Sequence, residues 1–277
     1  MRLVTYRSDR GSRAGVLRDG GVVDCWDAIG GDGSSVRGLL EGDRLDDVAR
    51  ADGEVLPADS VELLPPVPDP DKIICIGLNY RAHAAEAGID PPETPTFFAK
   101  FRNALTPPGA AVALPAPSEK VDYEAEVAFV VGRRAKDVAE PDAIDHLAGY
   151  MLFNDLSARD LQFATPQWMP GKVFDGSAPC GPELVTPDEA GPPDAISFAL
   201  TLNGAEMQSS STADLVFSIP VLVAHLSRLL TLEPGDVVAT GTPAGIGGAR
   251  EPRVWLRPGD EVVISSPALG RLETRLL

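Results

Sequence analysis

The sequence predicts a mixed, β-rich α+β fold with a small N-terminal β-containing domain. Three observations predict it. First, 26 prolines and 27 glycines are spread along the 277 residues, which cuts the chain into many short segments and excludes long helices. Second, short apolar and β-branched runs recur between turn formers, as strands do. Third, the best helical stretch, 215–230, carries apolar residues at helical spacing.

Composition narrows the function. The chain is 44% hydrophobic, enough to bury a sizeable core, so disorder is not the main reading. Its 41 acids against 24 bases give a formal net charge of -17, and a nucleic-acid partner is not expected from such an acidic surface. No apolar run approaches the roughly 18 residues that span a bilayer, so no membrane partner is expected. The N-terminus reaches charge at Arg2 and Arg7 before an apolar signal region can form, so no secretory leader is expected. Three widely spaced cysteines, Cys25, Cys75 and Cys180, form no Cys-x-x-Cys pair and suit free buried thiols in a reducing compartment. A cytoplasmic protein is the expectation.

Residues 1–66 read as the small N-terminal domain, with strands over Arg2 to Tyr6, Ala14 to Leu17 and Val22 to Asp24. The turn formers Asp9-Arg10-Gly11 and Asp19-Gly20-Gly21 link them. Four prolines between Pro65 and Pro70 favour a stiff, extended connector, which places the domain boundary there. The main domain, 67–277, opens with Lys72 to Gly77, a continuous apolar run suited to a buried strand. Near the C-terminus, Pro234-Gly235-Asp236 before Val237 to Thr240 is echoed by Pro258-Gly259-Asp260 before Glu261 to Ile264. Each Pro-Gly pair predicts a tight turn that feeds a strand. In the segment Leu215 to Leu230, apolar Val216, Ile219, Val223, Leu226 and Leu230 mark a helix, with Pro220 near its start where a missing N–H is tolerated.

Chemistry enters at Asp122-Tyr123-Glu124-Ala125-Glu126, which runs into an apolar strand ending at Val131. Period-two geometry sends Glu124 and Glu126 to one face, with Ala128 and Val130, while Tyr123, Phe129 and Val131 take the other. Two adjacent carboxylates beside apolar surface call for a cation or a proton; an exposed edge strand with both acids in water is the alternative. Asp155 ends a second apolar run, where it reads either as a helix N-cap or as a third oxygen donor of the kind that holds Mg²⁺ or Mn²⁺. No thiolate or histidine spacing suggests zinc. In the Ala-rich stretch 82–87, His83 and Glu86 lie three apart on one helix face. Either they are an exposed pair or Glu86 orients His83 as a general base. Gly88, Pro91 and Pro92 would suit a short helix on a mobile lid.

Taken together, these segments resemble the fumarylacetoacetate hydrolase family, in particular its short two-part bacterial and mitochondrial members. The resemblance covers roughly 71–277, about three quarters of the chain. Its motifs are Gly-x-Asn-Tyr-x-x-His-x-x-Glu at 77–86, Asp-Tyr-Glu-x-Glu at 122–126, Asn-Asp-x-Ser-Ala-Arg-Asp-x-Gln at 154–162, Gly-Lys-x-Phe-Asp at 171–175, Gly-Pro at 181–182 and Thr-Gly-Thr-Pro-x-Gly-x-Gly at 240–247.

The resemblance implies a β-roll of mixed sheets, a homodimer and a small-molecule 2-oxo acid substrate. It places Mg²⁺ or Mn²⁺ on Glu124, Glu126 and Asp155, the water-activating dyad on His83 and Glu86, and an enolate-stabilising lysine on Lys172. Tyr80, Gln162 and Thr242 match polar residues lining the same pocket. The implied reaction is hydrolysis of a carbon–carbon bond in a 2,4-dioxo acid, an acylpyruvate, with decarboxylation of oxaloacetate or isomerisation of a 2-hydroxydienoate as alternatives on the same scaffold. Many relatives carry a basic residue shortly before the lysine, where this chain reads Trp168-Met169-Pro170-Gly171-Lys172. That difference leans the expected substrate towards a neutral or apolar acyl group, although Arg81, Arg102 or Arg159 could supply a cation. His146 and His225, in segments that read as helical, are expected to be structural.

Overall fold

The computed structural model describes all 277 residues. Strands β1 (Arg2–Ser8), β2 (Gly11–Arg18) and β3 (Gly21–Asp24) form an antiparallel meander. Gly11 and Gly20 take positive φ in the two predicted turns. The stretch after β3 holds three short helices, α1 (Cys25–Ala28), α2 (Val36–Glu41) and α3 (Leu45–Arg50). They are too short to register as a periodicity, although Ser35 caps α2 by accepting from the Gly38 amide at 3.0 Å. Strands β4 (Val55–Pro57) and β5 (Glu62–Leu64) complete this part.

Beyond the proline-rich connector come β6 (Ile73–Gly77), helix α4 (Arg81–Glu86) and β7 (Thr96–Lys100). The short strands β8 (Leu105–Thr106), β9 (Ala111–Val112) and β10 (Val121–Asp122) precede the long pair β11 (Ala125–Val131) and β12 (Leu147–Asn154). Then follow β13 (Ser157–Ala158), α5 (Arg159–Gln162), β14 (Ala178–Val185) and α6 (Pro187–Ala190). The chain ends with β15 (Ser197–Leu202), β16 (Ala205–Ser211), α7 (Ile219–Leu229), β17 (Val237–Ala239), β18 (Glu261–Ser266) and β19 (Gly270–Leu276).

These strands make a mixed 12-stranded sheet in the order β4-β3-β2-β1-β14-β12-β11-β17-β6-β7, with β5 also on β1 and β8 on β14. A five-stranded sheet, β16-β15-β18-β19-β9, packs against it, and β10 pairs with β13. Both segments of the chain share the large sheet, because β1 pairs antiparallel with β14, Arg2 opposite Val185. This mixed-sheet α+β architecture is the one expected from the resemblance.

The alternation read along β11 decides how the core divides. Tyr123, Val127, Phe129 and Val131 face a cluster that takes in Phe198, Leu200 and Ile264 of the smaller sheet and Leu222 and Leu226 of α7. Ala128 and Val130 face the opposite cluster, with Phe153, Leu3, Trp26 and Leu39. Helix α7 starts at Ile219, with Pro220 in its first turn, so Val216 and Leu230 of the predicted stretch fall just outside it. Both Pro-Gly turns form: Gly235 and Gly259 have φ of 89° and 92°. In each, the following aspartate closes the turn, Asp236 accepting from the Glu233 amide and Asp260 from the Arg257 amide, both at 2.7 Å. No helix is long and apolar enough to cross a membrane.

Candidate active site

The register of β11 on β12 builds the acidic centre. Ala125 opposes Asn154 and Glu126 opposes Phe153, so the next residue on each side, Glu124 and Asp155, meet at the end of the pair. Their backbones lock there, the Asp155 amide donating to the Glu124 carbonyl at 2.9 Å. Glu124, Glu126 and Asp155 each bring a carboxylate oxygen within 4.8 Å of the others, and all three are buried. The exposed-edge alternative for the glutamates is therefore excluded. So is the N-cap alternative for Asp155, since α5 begins only at Arg159 with Ala158 before it and no side-chain cap.

Two buried cations answer part of this charge. Lys172 Nζ donates to Glu124 Oε2 at 2.9 Å and to Asp155 Oδ2 at 2.7 Å, and it lies 5.1 Å from the centroid of the Phe98 ring. Arg159 pairs with Glu124 at 2.6 Å and with Asp122 at 2.9 Å. Burial alone would raise the Glu124 carboxyl, but Lys172 and Arg159 outweigh it and hold it below the usual carboxylate range.

Glu126 has no cationic partner. It accepts from the Gly241 amide at 2.8 Å, while burial, Asp155 and Glu124 push its carboxyl well above the ordinary value. Asp155 Oδ1 also keeps unused capacity: Lys100 Nζ, 2.8 Å away, engages one of its lone pairs and leaves the other. Three convergent hard oxygens, one without counter-charge and one with a free lone pair, fit a hard divalent cation.

The dyad forms as the helix spacing predicts. In α4, His83 Nδ1 lies 3.1 Å from Glu86 Oε2, and Glu86 Oε1 accepts from the Gly245 amide at 2.8 Å. The glutamate thus ties the helix to the 240–247 loop. Burial would raise its carboxyl, but His83 and that amide hold it below the ordinary value. With Nδ1 engaged, Nε2 is the nitrogen left to take a proton.

A cleft of about 670 Å³ unites these groups: His83, Glu86, Glu124, Arg159, Gln162, Lys172 and Thr242 all line it. Its apolar wall includes Phe98, Trp168, Phe163 and Trp255. Gln162 accepts from Arg159 Nη1 at 3.0 Å. The Thr242 hydroxyl donates to the Ala125 carbonyl at 3.0 Å.

Tyr80 is a correction. It does not line the cleft; its ring is fully buried, edge-on to Phe198 at 6.3 Å. The reason lies in its backbone, which bridges Leu215 and turns the side chain into the core before α4 begins. Of the arginines named as possible cations, Arg159 lines the cleft, whereas Arg81 donates to the Leu215 carbonyl and Arg102 to the Pro70 carbonyl.

Several contributors escape a sequence reading. Gln208 holds both the Ala125 amide and the Thr242 hydroxyl, at 2.9 Å each. Asp122 gathers Arg159 and the amides of Gly247 and Gly248. Lys100, fully buried, reaches Asp155 from β7. The only sequence signal for the last was the scarcity of lysine, five in the chain. Cys25, Cys75 and Cys180 are free and buried as expected, with burial raising the Cys180 thiol to about 12.

The family model described as fumarylacetoacetate (FAA) hydrolase C-terminal matches residues 72–277. The chain is 38% identical over 293 residues to a fumarylacetoacetate hydrolase domain-containing protein 2 homolog of Dictyostelium discoideum, across 98% of this chain and 96% of that one. It is 42% identical over 218 residues to the Bos taurus protein oxaloacetate tautomerase FAHD2A, mitochondrial, across 78% of this chain and 69% of that one. Among solved structures, the fumarylacetoacetate hydrolase of Exiguobacterium antarcticum matches with a TM-score of 0.86 at 32% identity, covering 100% of this chain and 99% of that one. Agreement over nearly the whole length, in sequence and in fold, carries one conclusion: the chain belongs to the fumarylacetoacetate hydrolase family.

Proposed function

We propose that the protein is a divalent-metal-dependent hydrolase that cleaves a 2,4-dioxo acid, an acylpyruvate, into a carboxylate and pyruvate. The observation that carries this reading is the placing of a base dyad, an ammonium and Glu124, one member of a buried carboxylate triad, on one cleft. Glu124, Glu126 and Asp155 would hold the cation, which when bound supplies Lewis-acid polarisation of a substrate oxygen.

The chain's own groups account for the remaining chemistry. His83 Nε2 takes a proton from water, and the imidazolium so formed is stabilised by Glu86 across Nδ1. The water oxygen bonds to the distal carbonyl carbon. The bond from that carbon to the methylene then breaks, and its electron pair passes into the enolate of pyruvate. Lys172 faces the charge that develops there, and the enolate carbon finally takes a proton. One water is consumed, and the products are a carboxylate, pyruvate and a proton. General base catalysis supplies about 10²–10⁴-fold and a positioned electrostatic donor about 10²–10³-fold. The apolar wall of Phe98, Phe163, Trp168 and Trp255 supports an acyl group of some bulk. The same reading carries a homodimer as the expected assembly, which light scattering on the purified chain would test.

A second reading, an oxaloacetate-type tautomerase, isomerase or decarboxylase, is favoured by the 42% identity to the bovine tautomerase. Lys120 and Arg253 also line the cleft, and either could meet a second carboxylate. Product analysis separates the two. Acetylpyruvate and oxaloacetate are each incubated with the protein and Mg²⁺, or with chelator. Acetate plus pyruvate from the first, lost with chelator, supports hydrolysis; keto–enol interconversion or CO₂ release from oxaloacetate, with acetylpyruvate untouched, overturns it.

A further inference from the structure

Strand β7 carries Phe98 and Lys100 two residues apart, hence on one face, and both meet Lys172. Phe98 lies under its ammonium, 5.1 Å from Nζ to the ring centroid. Lys100 Nζ donates to its carbonyl oxygen and to Ser177 Oγ at 3.0 Å, and Ser177 Oγ donates to that same carbonyl at 2.8 Å. The loop from Lys172 to Ser177 is therefore wrapped around one buried ammonium. The Leu156 carbonyl approaches it as well, at 3.4 Å.

Asp155 is held between the two lysines, Oδ1 facing Lys100 at 2.8 Å and Oδ2 facing Lys172 at 2.7 Å. The lysines are not equivalent. Lys172 lines the cleft; Lys100 does not, and its side chain has no solvent exposure. An ammonium removed from water carries a large desolvation cost, which only a fixed set of acceptors offsets. Lys100 has such a set, and every member belongs to the segments that carry Asp155 and Lys172.

We propose that Lys100 is a positioning residue, whose buried ammonium fixes Asp155 and the loop of Lys172 so that the Asp155 carboxylate is held towards Glu124 and Glu126 while the Lys172 ammonium faces the cleft. This rests on the metal-centre reading above. Lys100 touches no substrate; it acts through Asp155 and Lys172.

The test is Mn²⁺ titration calorimetry on the chelator-treated full chain, wild type against Lys100→Met, together with the split of kcat from KM. Removing a positive charge beside the site would by Coulomb's law tighten Mn²⁺ binding, whereas loss of positioning weakens it. The expected result is Mn²⁺ affinity and kcat each lowered about 10–100-fold, with KM changed far less. Equal or tighter Mn²⁺ binding by a folded Lys100→Met protein overturns the proposal and leaves the metal-centre reading intact. A wild-type chain that binds no Mn²⁺ overturns both. Should Lys100→Met fail to fold, Ser177→Ala decides, because it keeps the charge, the Asp155 ion pair and the direct Lys100 bond to the Lys172 carbonyl but removes the hydroxyl through which Lys100 also holds that carbonyl. It is expected to lower kcat about 10-fold with Mn²⁺ affinity retained, and wild-type kcat would overturn the proposal.

Discussion

Glu126 and His83 lie in the same centre and should fail in different ways. Glu126→Ala is expected to abolish Mn²⁺ binding and turnover together, because it removes the one triad carboxylate that no protein cation neutralises. His83→Ala should keep Mn²⁺ and lose about 10²–10⁴-fold in turnover of an acylpyruvate. Equilibrium dialysis beside a pyruvate-release assay reads both, and full activity in the His83 variant would refute its role as the base. These residues were legible because each spacing is local: two along a strand for the glutamates, three along a helix for His83 and Glu86. Lys100 was not, since its partners Asp155, Lys172 and Ser177 lie 55 to 77 positions away. Tyr80 shows the opposite failure. A motif match gave it a pocket role, and a backbone bridge to Leu215 sends its ring into the core.

Among the elements, those governed by short-range chemistry were read well. The Pro-Gly turns, the N-terminal meander, the core division along β11 and helix α7 all follow from local sequence. Strand pairing did not, because nothing local states that β17 lies parallel to β6 or that β1 adds to β14. One junction made by that pairing is testable. Gly241 follows β17 by two residues, has a φ of +102°, and would bring a Cβ to 3.0 Å from both Asn79 Cβ and the Ile76 carbonyl. Its amide is the partner of Glu126. Gly241→Ala should therefore destabilise the fold by about 1–3 kcal/mol and weaken Mn²⁺ binding in the same protein. Urea denaturation and calorimetry check the two effects, and an unchanged Mn²⁺ affinity would show that the amide does not hold Glu126.

For the molecule as a whole, the acidic centre is the point where the large sheet, α4, the 240–247 loop and the Lys172 loop converge. A ligand bound there by the folded state alone must raise its stability. At free Mn²⁺ near 100 times its dissociation constant the gain is about 2.7 kcal/mol, a rise of roughly 5–10 °C in Tm at about 2–4 °C per kcal/mol. Glu126→Ala should show no such rise. The measurement that goes most directly to the central claim is anomalous diffraction at the manganese edge from crystals soaked in Mn²⁺. A single peak within coordination distance of Glu124, Glu126 and Asp155 is the predicted result. A peak elsewhere, or none with the three side chains turned away from one another, would contradict the account.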